Sequence, residues 1–126
     1  MYILITCVIL GSTYEIPEDL RDPSKIYFGS MNAFSNPVEI LHEKIIKETD
    51  EYKEIERKKI ERGTGQYWIL ISKASQVVKN IIEKYGKEND DIDFVTEKHY
   101  LESCGLNIEI RDVTDDIIEY MKKSKK

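Results

Sequence analysis

The chain has 126 residues, of which 34% are charged, and a formal net charge of −5. That length suits one domain with a modest core, and the acidic balance excludes a nucleic-acid binder that relies on an overall basic field. The charge is uneven: residues 39 to 88 hold 11 Lys or Arg against 10 Asp or Glu, and the remainder holds 8 against 14, so the middle is less acidic than its flanks.

The first segment, MYILITCVILGS, is an apolar run followed by small residues. It is too short for a membrane span, which needs about 20 apolar residues. It fits either the h-region of an export signal, although no Lys or Arg precedes it, or a buried strand. Ile26, Tyr27 and Phe28 then form a short strand candidate closed by Gly29, with Ser30 placed to cap a helix.

From Phe34 the apolar positions run Phe34, Val38, Leu41, Ile45, Tyr52 and Ile55, in steps of three and four apart from Glu48. Such a stripe predicts a long amphipathic helix, and Pro37 places its start at about Asn36. The GTGQ stretch, Gly63 to Gln66, breaks the pattern, and a second seam follows through Tyr67, Ile71, Ala74, Val78, Ile81 and Tyr85, widened by Trp68, Leu70, Val77 and Ile82. Two such helices joined by a short turn are expected to fold back as an antiparallel coiled-coil hairpin, an arm of roughly 40 Å at 1.5 Å rise per residue. Trp68, Leu70 and Ile71 are expected to pack between the two helices, with an exposed interface as the alternative for them.

Beyond the hairpin, Ile92, Phe94 and Thr96 alternate as a strand, and so do Leu106, Ile108 and Ile110, with HYLESCG as a loop between them. Thr114 is a candidate N-cap for a closing helix with Asp115 and Asp116 in its first turn and a docking face of Ile117, Ile118 and Met121. The class predicted is α+β: a long helical hairpin on a small β body.

Chemistry-bearing patterns are sparse. Two cysteines, Cys7 and Cys104, and two histidines, His42 and His99, show no paired spacing, so neither a metal nor another cofactor is expected. The ENDDID run, Glu88 to Asp93, lacks the spacing and glycine of a calcium loop and reads as a solvated helix end. With no Ser, His and Asp set and no phosphate-cradling loop, catalysis is not expected. The basic stretch RKKIER supplies Arg57, Lys58, Lys59 and Arg62 beside the turn, and with Trp68 it is the candidate contact site for an acidic client or an anionic membrane surface.

In three stretches, taken in order, the chain resembles the OmpH/Skp family of periplasmic chaperones: KIYFGSMNAF, Lys25 to Phe34; VVKNIIEKYGKENDDIDFVTEK, residues 77 to 98; and RDVTDDIIEYMKK, with Asp112, Val113, Thr114, Asp115 and Ile117 at the strand-to-helix signature. The resemblance implies an export segment at residues 1–13 and one domain at 14–126, with a body from 25–34 and 90–126 and a shortened hairpin arm from 35–89. It also implies a periplasmic homotrimer that holds unfolded outer-membrane proteins between its arms without ATP. The alternative is a non-catalytic coiled-coil adaptor that uses the hairpin for protein–protein contact.

Overall fold

Pro37, Val38, Glu39 and Ile40 decide the architecture. Their alternation buries Val38 and Ile40 and leaves Pro37 and Glu39 half-exposed. Proline lacks a ladder donor and is tolerated at the first residue of a strand, where it stands here. Instead of opening a long helix, these residues form a central strand. The computed structural model describes residues 13–106 and 108–124. It is an α+β fold in which β1 (Ile26–Phe28), β2 (Pro37–Ile40), β3 (Phe94–Glu97) and β4 (Arg111–Asp112) form one mixed sheet in the order β1-β3-β2-β4. β2 runs parallel to both β3 and β4, and β1 is antiparallel to β3 across an irregular register.

The helices are α1 (His42–Ile46), α2 (Asp50–Lys58), α3 (Gly65–Glu88), α4 (Tyr100–Ser103) and α5 (Thr114–Ser124). The expected long arm is therefore overturned. Its first half is a strand, a helix of 5 residues and a second helix of 9, and only α3, at 24 residues, is long. The break between α1 and α2 has a local cause. The Thr49 side chain is turned inward, accepts the Tyr52 N–H at 3.2 Å and donates to the Ile46 carbonyl at 2.6 Å, ending one helix and capping the next. The sequence carries one mark of this break, the interruption of the apolar stripe at Glu48 between Ile45 and Tyr52. α2 and α3 do pack on each other, but as a short pair, and it is α3 that continues onto β1, β3, α1 and α5. Residues 35–89 thus supply a sheet strand, two helices of the core, α1 and α3, and a short α2–α3 pair in place of a long hairpin.

Three further expectations are corrected. HYLESCG holds α4, whose Tyr100 and Leu101 are buried. The strand at 106–110 shrinks to Arg111–Asp112, since these are the positions that pair with Val38 and Glu39. Thr114 does not act as a free cap: it is buried, and the Asp112 carboxylate accepts its N–H at 2.8 Å. The export-segment expectation at 1–13 falls almost wholly outside the described residues.

The sheet has apolar packing on both sides. Val38, Ile40 and Val95 pack with Ile45 and Ile46 of α1, Ala74, Val78 and Ile82 of α3, and Ile117 and Ile118 of α5. Phe94, next to Val95 and so pointing to the opposite face, joins Phe34, Ile16, Tyr100 and Leu101 in a second cluster. The closing helix packs on α1 and α3, and Lys44 of α1 meets Asp115 at 2.8 Å.

Candidate functional site

Because β2 and β3 are parallel, their carboxyl ends open on the same side of the sheet. In open α/β sheets that is where ligands are bound. β1 is antiparallel and pairs Ile26 with Thr96, so its first residues lie beside the last of β3. Glu97 ends β3, and one of its carboxylate oxygens accepts the Tyr27 hydroxyl at 2.7 Å and the His42 backbone N–H at 3.3 Å. The Tyr27 ring stacks on the His42 imidazole, with centroids 5.4 Å apart and planes 19° from parallel. Burial, followed by the Glu97 carboxylate, pushes the Tyr27 phenol well above its ordinary range. Burial also lowers the His42 pKa, against the pull of Glu97. At neutral pH the phenol is therefore protonated and the imidazole neutral.

A cleft of about 260 Å³ opens on this group, and Ser75 and Lys79 of α3 line it with Ser24, Tyr27 and His42. Ser75 and Lys79 are four apart, which brings them to one face of the helix. His42 and His99 looked isolated in sequence, and the Tyr27, His42 and Glu97 grouping was missed. It joins residues far apart in the chain, and its one available signal, a histidine just after a strand, required recognising residues 37–40 as that strand.

The folded pKa of His42 lies below the unfolded value of 6.5. The unfolded chain therefore takes up this proton first as pH falls, and the His42 contribution to stability is complete above 6.5 and declines below it. Urea unfolding at pH 7 and pH 5 is expected to show a larger acid loss for the native chain than for His42→Gln; equal losses would place the ring in water.

A second polar group at the same end of the sheet is a structural latch. Lys98 bridges Asp112 at 2.8 Å, and the Thr114 hydroxyl accepts the Leu41 N–H at 2.9 Å, tying α5 to the exit of β2. Burial alone would push the Asp112 carboxyl up, but Lys98 and the two Thr114 donors outweigh it and hold it below its ordinary value. Asp93, from the ENDDID run, is also committed: its two oxygens accept the Ser35 and Asn36 N–H groups at 2.7 and 2.8 Å. Among the described residues no three His, Cys, Asp or Glu side chains converge on a metal-sized point.

The site residues predicted from sequence lie together around the α2–α3 turn. Arg57 and Lys58 end α2, Lys59 adopts the left-handed cap conformation at φ 53°, and Arg62 lies in the turn. Lys58 pairs with Glu54 at 3.1 Å, whereas Arg57, Lys59 and Arg62 have no ionic partner among the described residues. Trp68 is 58% exposed and Ile69 59%, while Leu70 is buried. The expected packing of Trp68 between the helices is thus corrected. The buried stripe of α3 is Leu70, Ala74, Val78 and Ile82, and Trp68, two residues before Leu70, falls about 200° round the helix from it. Trp68 and Lys79, eleven residues apart, share one face of α3 and stand roughly 16 Å apart along its axis.

No helix among the described residues is long and apolar enough to cross a membrane. No family model, curated protein or solved structure matches the chain, and nothing in these comparisons ties it to the OmpH/Skp family.

Proposed function

We propose that the protein is a non-catalytic interaction module that grips an acidic protein segment through the tip of its α2–α3 pair. The observation that carries this reading is the exposure of Trp68 and Ile69 close in the chain to three cations without ionic partners among the described residues, on a chain whose net charge is −5. Within residues 57 to 62, four cations stand against one carboxylate, Glu61, so the local charge opposes that of the whole. Trp and Arg are the residue types that dominate binding energy at interfaces, because each combines a large contact area with a polar handle. Trp68 meets Tyr67 edge-on, with centroids 5.4 Å apart. That contact limits the ordering cost of binding.

An anionic bilayer is the competing occupant. Each basic residue near such a surface contributes about 1 kcal/mol, and the acidic remainder of the chain opposes the approach. A peptide strand meets the tip alone and avoids that repulsion, which favours a protein partner. The chaperone reading required arms that enclose a client, and α2, at 9 residues, supplies no wall for such a cavity.

The chain has a single tryptophan, so its fluorescence reports on the tip alone. Titration with a synthetic peptide of alternating Glu and Leu is expected to blue-shift Trp68 emission, saturably and less so at high salt. Arg62→Glu together with Lys59→Glu is expected to weaken the response about tenfold or more, roughly 1.4 kcal/mol, and to leave the unfolding midpoint within about 0.5 kcal/mol of the parent. A silent peptide titration ends the proposal, and a shift induced only by phosphatidylserine vesicles assigns the tip to lipid.

A further inference from the structure

The tip leaves the cleft beside Tyr27 and His42 without a role, and its chemistry is specific. Lys79 has no ionic partner among the described residues. The nearest carboxylate on its own helix, Glu83 one turn on, leans instead towards Lys87 at 3.9 Å. The Ser75 hydroxyl, one turn before Lys79, likewise has no hydrogen-bond partner among the described residues, so its donor and both lone pairs are open. Neither ring nitrogen of His42 is engaged among the described residues, and a neutral imidazole offers one N–H. The other hydroxyls around the cleft are taken: Ser24 donates to Asp22 at 2.6 Å, and Tyr27 donates to Glu97.

Lys79 is the one cation among these open groups, the Ser75 hydroxyl and the neutral imidazole can each add a donor, and no carboxylate lines the cleft among the described residues. Glu97, behind the aromatic pair, already has one oxygen saturated by two donors. We infer that the cleft binds a small planar monocarboxylate, its carboxylate held by Lys79 and Ser75 and its flat body laid against the stacked Tyr27 and His42 rings.

Charge and size set the class. Glu83 lines the adjoining groove with Lys79, Tyr27 and Phe28. One cation with a carboxylate at its rim accommodates one negative charge better than two, which favours a carboxylate over a phosphate dianion. A volume of about 260 Å³ lies just under the roughly 300–1,000 Å³ of sites for drug-sized ligands, so the ligand is a single ring or its equivalent. The aromatic lining by Tyr27 and His42 suits an aromatic or conjugated body.

The test uses the intact chain and three probes of one shape: benzoate, benzamide and phenyl phosphate. Carbon-13 resonances of the His42 ring and the Lys79 side-chain terminus are followed by NMR during each titration. Benzoate is expected to shift both saturably, with a Kd of order 1 mM, and benzamide to bind about tenfold more weakly or worse. Lys79→Gln is expected to cost benzoate about tenfold, and Ser75→Ala about threefold, with no change in the unfolding midpoint. Equal binding of benzamide, or an affinity indifferent to Lys79→Gln, overturns the anion site. Tighter binding of phenyl phosphate than of benzoate overturns the monocarboxylate assignment. The fluorescence of Trp68 serves as an internal control, since a ligand in the cleft should leave it unchanged.

Discussion

Phe94→Ala is expected to lower folding stability by about 3–5 kcal/mol, the usual cost of removing a fully buried phenyl ring. Phe94 is wholly buried and opens β3, the strand to which both β1 and β2 are bonded. Its ring lies on that of Phe34, centroids 4.0 Å apart and planes 9° from parallel. It also closes the cluster that holds Tyr100, Leu101 and Ile16 over that face of the sheet. Domains of this size have only about 5–15 kcal/mol in total, so the variant should unfold at far lower denaturant. Urea unfolding followed by far-UV circular dichroism measures the loss directly, and the exposed Trp68 makes fluorescence the poorer probe. A double-mutant cycle with Phe34→Ala should yield a coupling of about 0.5–1.5 kcal/mol from the ring pair. A loss below about 1 kcal/mol for Phe94→Ala would mean that the second cluster is loosely packed.

Gly29→Ala should be nearly as damaging although it adds one methyl group. Gly29 has φ +94°, and a Cβ built there would meet the Asp93 carbonyl oxygen at 2.2 Å. The partner is backbone, so it cannot swing aside as a side-chain end could. The left-handed conformation costs an L-residue about 1–2 kcal/mol, and relief of the clash adds roughly 1–3 kcal/mol. The strain falls between the end of β1 and the start of β3, so amide exchange at Phe28 and Val95 should accelerate more than at residues of α3. Uniform acceleration across the chain would show that β1 does not open separately.

Some of this fold could be read from the residues in order. Ile26–Phe28 and the strand at Phe94 are bounded by glycine or turn-forming residues and carry β-branched or aromatic side chains, and both form. The docking face of Ile117, Ile118 and Met121 is buried as the spacing demands. The second seam of the hairpin was legible as a helix. Ala74, Val78 and Tyr85 of the seam and Leu70 and Ile82 of its widened edge are buried, whereas Tyr67, Ile71 and Ile81 are half-buried and Trp68 is exposed. Near Pro37 the reading failed, because Val38 and Ile40 satisfy a strand's period of two while Val38, Leu41 and Ile45 satisfy a helix's steps of three and four. Pairing with β3 and β4 settles the ambiguity, and such long-range pairing leaves no mark in a local window. The cleft was hidden for the same reason: Tyr27, His42 and Glu97 meet only after β2 has taken its place between its neighbours.

The position of β2 also has a temporal side. Pro37 pairs with Phe94 and Val38 with both Val95 and Arg111, so neither neighbour of this strand exists when it leaves the ribosome. At roughly 5–20 residues per second, several seconds of synthesis separate β2 from the strand it needs first. During that interval Val38 and Ile40 have no sheet to enter, while the Thr49 cap and the α2–α3 turn, which are local, can form. Synthesis therefore favours the helices first, with the sheet closing around an apolar strand that has waited for both its neighbours, and that wait is when the chain is most exposed to association with its own copies.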